Sequence, residues 1–201
     1  MARLRGVSFG KIHQINMFQF LLSCFYFFLP AYFTNMTPPL MKKAGLFNFL
    51  DKPVDFGKKF FGKPILGSHK TWRGVICGIF VGFLITLFQK YLYQFPTFQE
   101  ISILDYNQIN IFFLGLIIPS GAIFGDLLFS FIKRRISLKP GAKFLPFDQT
   151  NYVIGVAFFT FLFSKFNIKI EVWLTLFILT FFLHIIFNRI GYLLHLHNAK
   201  W

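Results

Sequence analysis

The sequence predicts an all-α integral membrane protein with five transmembrane helices and two functional cytoplasmic loops. Of the 201 residues, 55% are hydrophobic and 33 are phenylalanine, which is too apolar for an ordinary soluble domain. Five apolar stretches approach the roughly 20 residues that a helix needs to cross a bilayer. Lys and Arg number 21 against 7 Asp and Glu, and in membrane proteins such an excess collects on the cytoplasmic side.

The predicted spans cover residues 17–33, 75–93, 111–132, 152–166 and 170–187. We interpret residues 1–201 as a single membrane-embedded domain. The fourth span is short and only residues 167–169 separate it from the fifth, so these two are predicted to form a tight helical hairpin. Pro30 and Pro119 lie within or near spans, where neighbouring helices can satisfy the carbonyl groups that a proline leaves free.

The basic residues also predict the orientation. The connecting segments alternate sides, which places the base-rich segments 35–74 and 133–150 on one face, whereas the segment 94–110 between them contains no Lys or Arg. The positive-inside rule puts the base-rich face in the cytoplasm. We therefore expect a multi-pass protein of the inner or plasma membrane, with its N-terminus outside and its C-terminus and active site in the cytoplasm.

An aspartate lies near the cytoplasmic end of the third predicted span. If this helix continues, Asp126, Ser130, Lys133 and Arg134 share one face because they are four, seven and eight residues apart. A carboxylate below the membrane surface costs about 2.5 to 3.5 kcal/mol on insertion scales and usually marks a functional cavity or an ion partner. The alternative is a structural salt bridge, either to Arg134 or to a neighbouring span.

A second aspartate, Asp148, follows the turn-forming stretch KPGAKFLPF at the mouth of the fourth predicted span. A metal ion needs more than one acidic ligand, and Asp148 supplies the second. The alternative is that Asp148 is the N-cap of the following helix, and the two roles can coexist.

The first cytoplasmic loop contains PVDFGKKFFGKPILGSHKTWRG, residues 53–74, in which glycines alternate with Lys and Arg. Glycine lets the backbone approach a ligand closely, and Lys and Arg neutralise phosphate oxygens, so this pattern suits a polyphosphate. It does not match the phosphate-binding pattern GxxxxGK[ST]. The alternative is an interfacial loop whose bases contact anionic lipid headgroups. His69 is interpreted as a solvated surface residue, and His184 has no assigned role.

Residues 53–74 and 125–155 closely resemble the CDP-archaeol synthase family, integral membrane cytidylyltransferases related to CDP-diacylglycerol synthases. The strings KTWRG and GDL, SFIKRR, PG and DQ occur in the same order. The resemblance implies five spans and transfer of the cytidylyl group of CTP to 2,3-bis-O-(geranylgeranyl)glycerol 1-phosphate, which gives CDP-archaeol and pyrophosphate in phospholipid biosynthesis. Two alternatives remain: a CDP-diacylglycerol synthase that acts on phosphatidic acid, and a non-enzymatic membrane protein that binds anionic lipids.

The implied reaction joins two anionic reactants, so catalysis consists of positioning and charge neutralisation. We expect Mg²⁺ held by Asp126 and Asp148, with Asp55 as a further candidate for its shell. The candidate catalytic residues are Asp126, Asp148, Lys133 and Arg134. The candidate residues for binding CTP or the lipid phosphate are Asp55, Gly67, Lys70, Thr71, Arg73, Gly74, Lys133, Arg134 and Arg135. The expected partners are CTP, the membrane lipid phosphate and the bilayer, with no nucleic acid.

Overall fold

The structure is a computed structural model that describes residues 16–138, 142, 144–163 and 167–193. It is mainly helical, as predicted. The helices are α1 (Met17–Ala44), α2 (Trp72–Leu92), α3 (Pro96–Ile101), α4 (Ile111–Arg135), α5 (Phe147–Phe163) and α6 (Ile170–Leu193). A short 3-10 helix (Asn48–Leu50) and a two-stranded antiparallel hairpin, β1 (Lys59–Phe60) and β2 (Lys63–Pro64), lie between α1 and α2.

Within the described ranges, four helices are long and apolar enough to cross a membrane, namely α1, α2, α4 and α6. Helix α5 has 17 described residues, which at about 1.5 Å per residue is a little short of the hydrocarbon thickness. Residues 164–166, with which the fourth predicted span ends, lie outside the described residues, as do the chain termini at 1–15 and 194–201. The count of five spans therefore stays a prediction.

Helix α1 is longer than the sequence predicts, because it continues past residue 33 to Ala44. Pro38 and Pro39 both lie inside this helix, although proline usually breaks a helix interior. A Cβ on Gly74 of α2 would lie 3.1 Å from the Pro38 ring, so the proline turn packs closely against the neighbouring helix, where a proline in a membrane helix is tolerated. The loop to α2 is correspondingly shorter than the predicted segment 35–74.

Helix α5 begins at Phe147, five residues before the predicted start of the fourth span. Asp148 is therefore in the first turn of the helix and is not its N-cap. Its carboxylate accepts a hydrogen bond of 2.8 Å from the backbone N–H of Phe144, a residue that precedes the helix. The predicted capping role, which requires a bond to an N–H further along the helix, is wrong. Most of the turn-forming stretch before it, residues 139–141 and 143, lies outside the described residues.

Helices α4 and α5 touch backbone to backbone. A Cβ on Gly125 would overlap the carbonyl oxygen of Asn151, and a Cβ on Gly155 would overlap the carbonyl oxygen of Gly121. Only glycine permits so close an approach, which is the usual way in which small residues bring membrane helices together. This contact sets Asp126, the next residue after Gly125, beside the N-terminal part of α5.

Candidate active site

A cavity of about 350 Å³ lies where the first loop meets α1, α4, α5 and α6. It brings together six of the predicted site residues: Gly67, Lys70, Asp126, Lys133, Arg134 and Asp148. Ser130 from the predicted helical face lines it as well. The face of α4 that the sequence spacing predicts is thus the wall of a cavity.

Asp126 joins this wall to the first loop. Its two carboxylate oxygens each accept a hydrogen bond of 2.7 Å from the Lys70 ammonium group. Both side chains are about one quarter exposed. The ion pair spans 56 residues of sequence, and the partner is Lys70 rather than a residue of the same helix. It fixes residues 67–70 at the mouth of the cavity.

Asp148 of α5 forms a second ion pair with α4. The Lys133 ammonium group donates to both of its carboxylate oxygens at 2.9 Å. Lys133 lies seven residues after Asp126 on α4, so the two pairs lie along one helix face. The cavity therefore contains two carboxylates, each with a lysine partner, together with the buried Arg134.

Five predicted site residues do not line this cavity: Asp55, Thr71, Arg73, Gly74 and Arg135. Three of them organise the start of α2. The hydroxyl of Thr71 accepts the N–H of Gly74 and caps the helix. Arg73 is buried, pairs with Asp51 at 3.0 Å and donates to Asn48 Oδ1 at 2.8 Å. These contacts stabilise the loop that carries Lys70.

Asp55 shapes the same loop from within. Its buried carboxylate accepts the backbone N–H groups of Gly57, Leu66 and Gly67 at 3.0, 2.8 and 3.1 Å. Burial of the carboxyl raises its pKa, but these three donors outweigh that effect and hold the pKa of Asp55 below its usual value. The proposed place of Asp55 in a metal shell has no support in this geometry, because its oxygens are used by the backbone.

We expect Asp55→Asn to lower the stability of the loop by about 2 kcal/mol at neutral pH, since a charged hydrogen-bond acceptor is replaced by a neutral one. Because the folded-state pKa is lowered, the carboxylate stabilises the loop above the ordinary value of 3.8, and this contribution is lost as the pH falls below it. Hydrogen exchange of the Leu66 and Gly67 amides in detergent measures the effect. The control Asp105→Asn makes the same substitution in the loop between α3 and α4 and should leave the exchange of those amides unchanged.

Four polar residues of the cavity wall were not predicted as site residues: Asn35 on α1, His69 in the first loop, Asn151 on α5 and His184 on α6. His69 is exposed, as interpreted from the sequence, but it also lines the cavity. Asn151 is 5% exposed, and its side-chain oxygen has no hydrogen-bond partner among the residues that the structure describes. The sequence did contain a signal for His184, which stands alone in a long apolar run; an ionisable residue inside a span is a functional candidate by default. Asn35 and Asn151 carry no such signal, because a span end tolerates polar residues.

The cavity is suited to anionic groups and a cation together. Lys70, Lys133 and Arg134 give it more positive than negative side chains, which favours phosphate oxygens. Among the described residues no three His, Cys, Asp or Glu side chains lie together as a metal cluster. The two carboxylates and the amide oxygen of Asn151 are oxygen donors of the kind that Mg²⁺ takes, and Mg²⁺ is commonly held by one or two carboxylates with substrate phosphates and water.

Comparison with known proteins identifies the family. The family model described as "CarS-like: CDP-archaeol synthase" matches residues 17–201. The CDP-archaeol synthase of Methanosarcina acetivorans is 36% identical over 187 residues, covering 86% of this chain and 99% of the relative. That of Methanocaldococcus jannaschii is 32% identical, covering 92% and 99%.

A solved structure shares the fold. It is described as "Structural insight into an intramembrane enzyme for archaeal membrane lipids biosynthesis", and it matches with a TM-score of 0.64 over 81% of this chain and 90% of that one, at 22% identity. At this level of identity the likeness concerns the arrangement of the helices. The family model and the sequence relatives decide the assignment: this chain belongs to the CDP-archaeol synthase family.

Proposed function

We propose that this chain transfers the cytidylyl group of CTP to 2,3-bis-O-(geranylgeranyl)glycerol 1-phosphate, forming CDP-archaeol and releasing pyrophosphate. Membership of the CDP-archaeol synthase family carries this proposal. The cavity adds chemical support, since it joins basic side chains and paired carboxylates at the end of membrane-spanning helices. The alternative of a non-enzymatic lipid-binding protein gains nothing from these relatives.

The reaction forms one bond and breaks one. An oxygen of the lipid phosphate attacks the α-phosphorus of CTP, and the bond from that phosphorus to the oxygen of the β-phosphate breaks, so pyrophosphate leaves. The attacking phosphate is already ionised and needs no general base. The barrier is the repulsion between two anions, so preorganised positive charge is the main contribution that the protein can make.

Three cationic side chains supply that charge. Lys133 and Arg134 lie at the end of α4, and Lys70 reaches the cavity from the first loop. Phosphate oxygens that enter the cavity meet bases from both sides. Ser130 donates its hydroxyl to the carbonyl oxygen of Asp126 at 2.8 Å, which steadies this turn of the helix.

Asp126 and Asp148 are the residues that would hold Mg²⁺, with the Asn151 side-chain oxygen as a further donor. When bound, the ion would neutralise triphosphate charge and stabilise the pyrophosphate that leaves. The lysine partners of these carboxylates have long, flexible stems. Lys70 and Lys133 can therefore contact substrate phosphates in the cavity without a movement of the backbone.

We place the cavity on the cytoplasmic side of the membrane. The segments that form it contain Lys70, Lys133, Arg134 and Arg135 among many bases, whereas the loop between α2 and α4 has none in residues 94–110. By the positive-inside rule the basic side is cytoplasmic. CTP is a soluble nucleotide and reaches the lipid phosphate from that side.

The test incubates the purified protein with labelled CTP and either the geranylgeranyl ether phosphate or phosphatidic acid. We expect a labelled CDP-lipid with the ether lipid and a smaller yield with phosphatidic acid. Equal or preferential use of phosphatidic acid would assign the chain to the alternative acceptor. Absence of a CDP-lipid from either acceptor would reject the proposed reaction.

Removal of divalent cations is expected to stop turnover. With EDTA in excess, CDP-lipid formation should fall to background, and added Mg²⁺ should restore it, because a cation is needed to offset the negative charge of the triphosphate beside the Asp126 and Asp148 carboxylates. Thermal melting with CTP, in the presence and absence of Mg²⁺, gives a readout that is independent of activity. Stabilisation by CTP that is the same with and without Mg²⁺ would argue against a metal at these carboxylates.

A further inference from the structure

Exposed phenylalanines crowd the segment between α1 and α2. We call residues 46–63 the cap. Among its phenylalanines, Phe49 is 73% exposed, Phe56 is 65% exposed and Phe61 is 86% exposed; Phe47 and Phe60 are about half exposed. None of the five lines the cavity. Single exposed apolar residues are ordinary, but a contiguous group of them marks an interaction surface.

Three of these phenylalanines have an unfavourable backbone conformation. Phe47, Phe56 and Phe61 have φ angles of 53°, 50° and 48°, in the left-handed region. For a bulky residue this conformation is a genuine outlier. Gly57 and Gly62 follow with φ of 74° and 75°, so two Phe-Gly pairs occupy turns in which the first position favours Asn or Asp. Strain of this kind at a turn tip points to a function for the side chain.

Lysines lie between the exposed rings. Lys52, Lys58 and Lys59 are exposed in the cap. The two aspartates of the cap are engaged within the protein: Asp51 pairs with Arg73, and Asp55 accepts three backbone N–H groups. The outward charge of the cap is consequently positive, and its apolar groups and bases alternate.

The hairpin of the cap is fixed to the end of α4. The guanidinium group of Arg135 donates to the carbonyl oxygens of Phe60, Lys63 and Pro64 and lies 5.4 Å from the Phe60 ring centre. Lys63 donates in return to the carbonyl oxygen of Arg135, at 3.1 Å, and to Ser137 Oγ. Because α4 leaves the membrane at its basic end, these bonds hold the Phe61 turn at the level of the lipid headgroups.

We propose that the cap docks on the anionic headgroup layer of the protein's own bilayer, with Phe56 and Phe61 inserted among the headgroups and Lys52, Lys58 and Lys59 bound to lipid phosphates. Aromatic residues among lysines are the composition that binds such a surface. The bilayer is always in reach, since the cap connects two membrane helices. The two interpretations of the basic loop thus apply to different residues: Lys70 faces the cavity, and Lys52, Lys58 and Lys59 face lipid.

The test introduces a fluorescent reporter by Phe61→Trp in the full chain, reconstituted in phosphatidylcholine vesicles with or without phosphatidylglycerol. The new tryptophan adds its emission to that of the native tryptophans. Lipids brominated near the headgroup end of their chains should quench this added emission, and iodide in solution should not. Both effects should be stronger with phosphatidylglycerol. Phe56→Trp serves as a second reporter if the first variant does not reconstitute. Neither readout depends on the chemistry in the cavity.

The charge component has its own control. In the Phe61→Trp background, Lys58→Gln with Lys59→Gln should reduce quenching in anionic vesicles to the level seen in neutral ones. Emission from both reporters that is open to iodide and unaffected by brominated lipid would overturn the proposal. So would equal insertion in neutral and anionic vesicles.

Discussion

Asp126→Asn is expected to lower CDP-lipid formation by at least about a hundredfold, the loss typical of removing one preorganised electrostatic group from an active site. The neutral amide cannot hold a cation in the way a carboxylate does, and it leaves the Lys70 ammonium group without the charge that it contacts through both oxygens. Turnover of labelled CTP at saturating Mg²⁺ and lipid measures the effect. The Mg²⁺ concentration for half-maximal activity should also rise.

Folding must be separated from chemistry in this experiment. The variant should elute as a single species and melt close to the wild type, since Asp126 is partly exposed and its neighbours on α4 are unchanged. Glu100→Gln makes the same change at an exposed carboxylate beyond the opposite end of α4 and should retain full activity. Full turnover by Asp126→Asn would defeat the assignment of this carboxylate to the site.

Gly155→Leu is the change with the largest expected effect on folding. A Cβ at this position already overlaps the backbone of Gly121 and Gly125 on α4. Backbone atoms cannot rotate away as a side chain can, so the two helices must separate. We expect a loss of about 3 kcal/mol or more in stability, seen as a large fall in the melting temperature in detergent and a fall in activity.

Gly155→Ala should give a smaller change in the same direction, because one methyl group meets the same atoms. Phe161→Leu is the matched control on α5, where the side chain is 85% exposed and faces away from the other helices. It should melt like the wild type. Unchanged melting of Gly155→Leu would show that α4 and α5 are not in backbone contact.

The sequence by itself determined the fold class, the family and one wall of the site. These follow from local information: apolar runs of spanning length, and residues spaced so that Asp126, Ser130, Lys133 and Arg134 share a helix face. The KTWRG and SFIKRR strings carried the family resemblance, and the family model confirms it.

Only the tertiary structure decided which residues meet. Lys70 and Asp126 are 56 residues apart, and neither segment contains a sequence signal that the two side chains form an ion pair. The same applies to Arg73 and Asp55, whose residue types suit phosphate or metal but whose contacts stabilise the loop. Helix α1 continues through Pro38, against which Gly74 of α2 packs, and neither segment alone indicates that contact. In each case the physical reason is the same. A sequence pattern indicates local conformation and exposure, whereas the contacts of a side chain depend on how segments distant in sequence pack together.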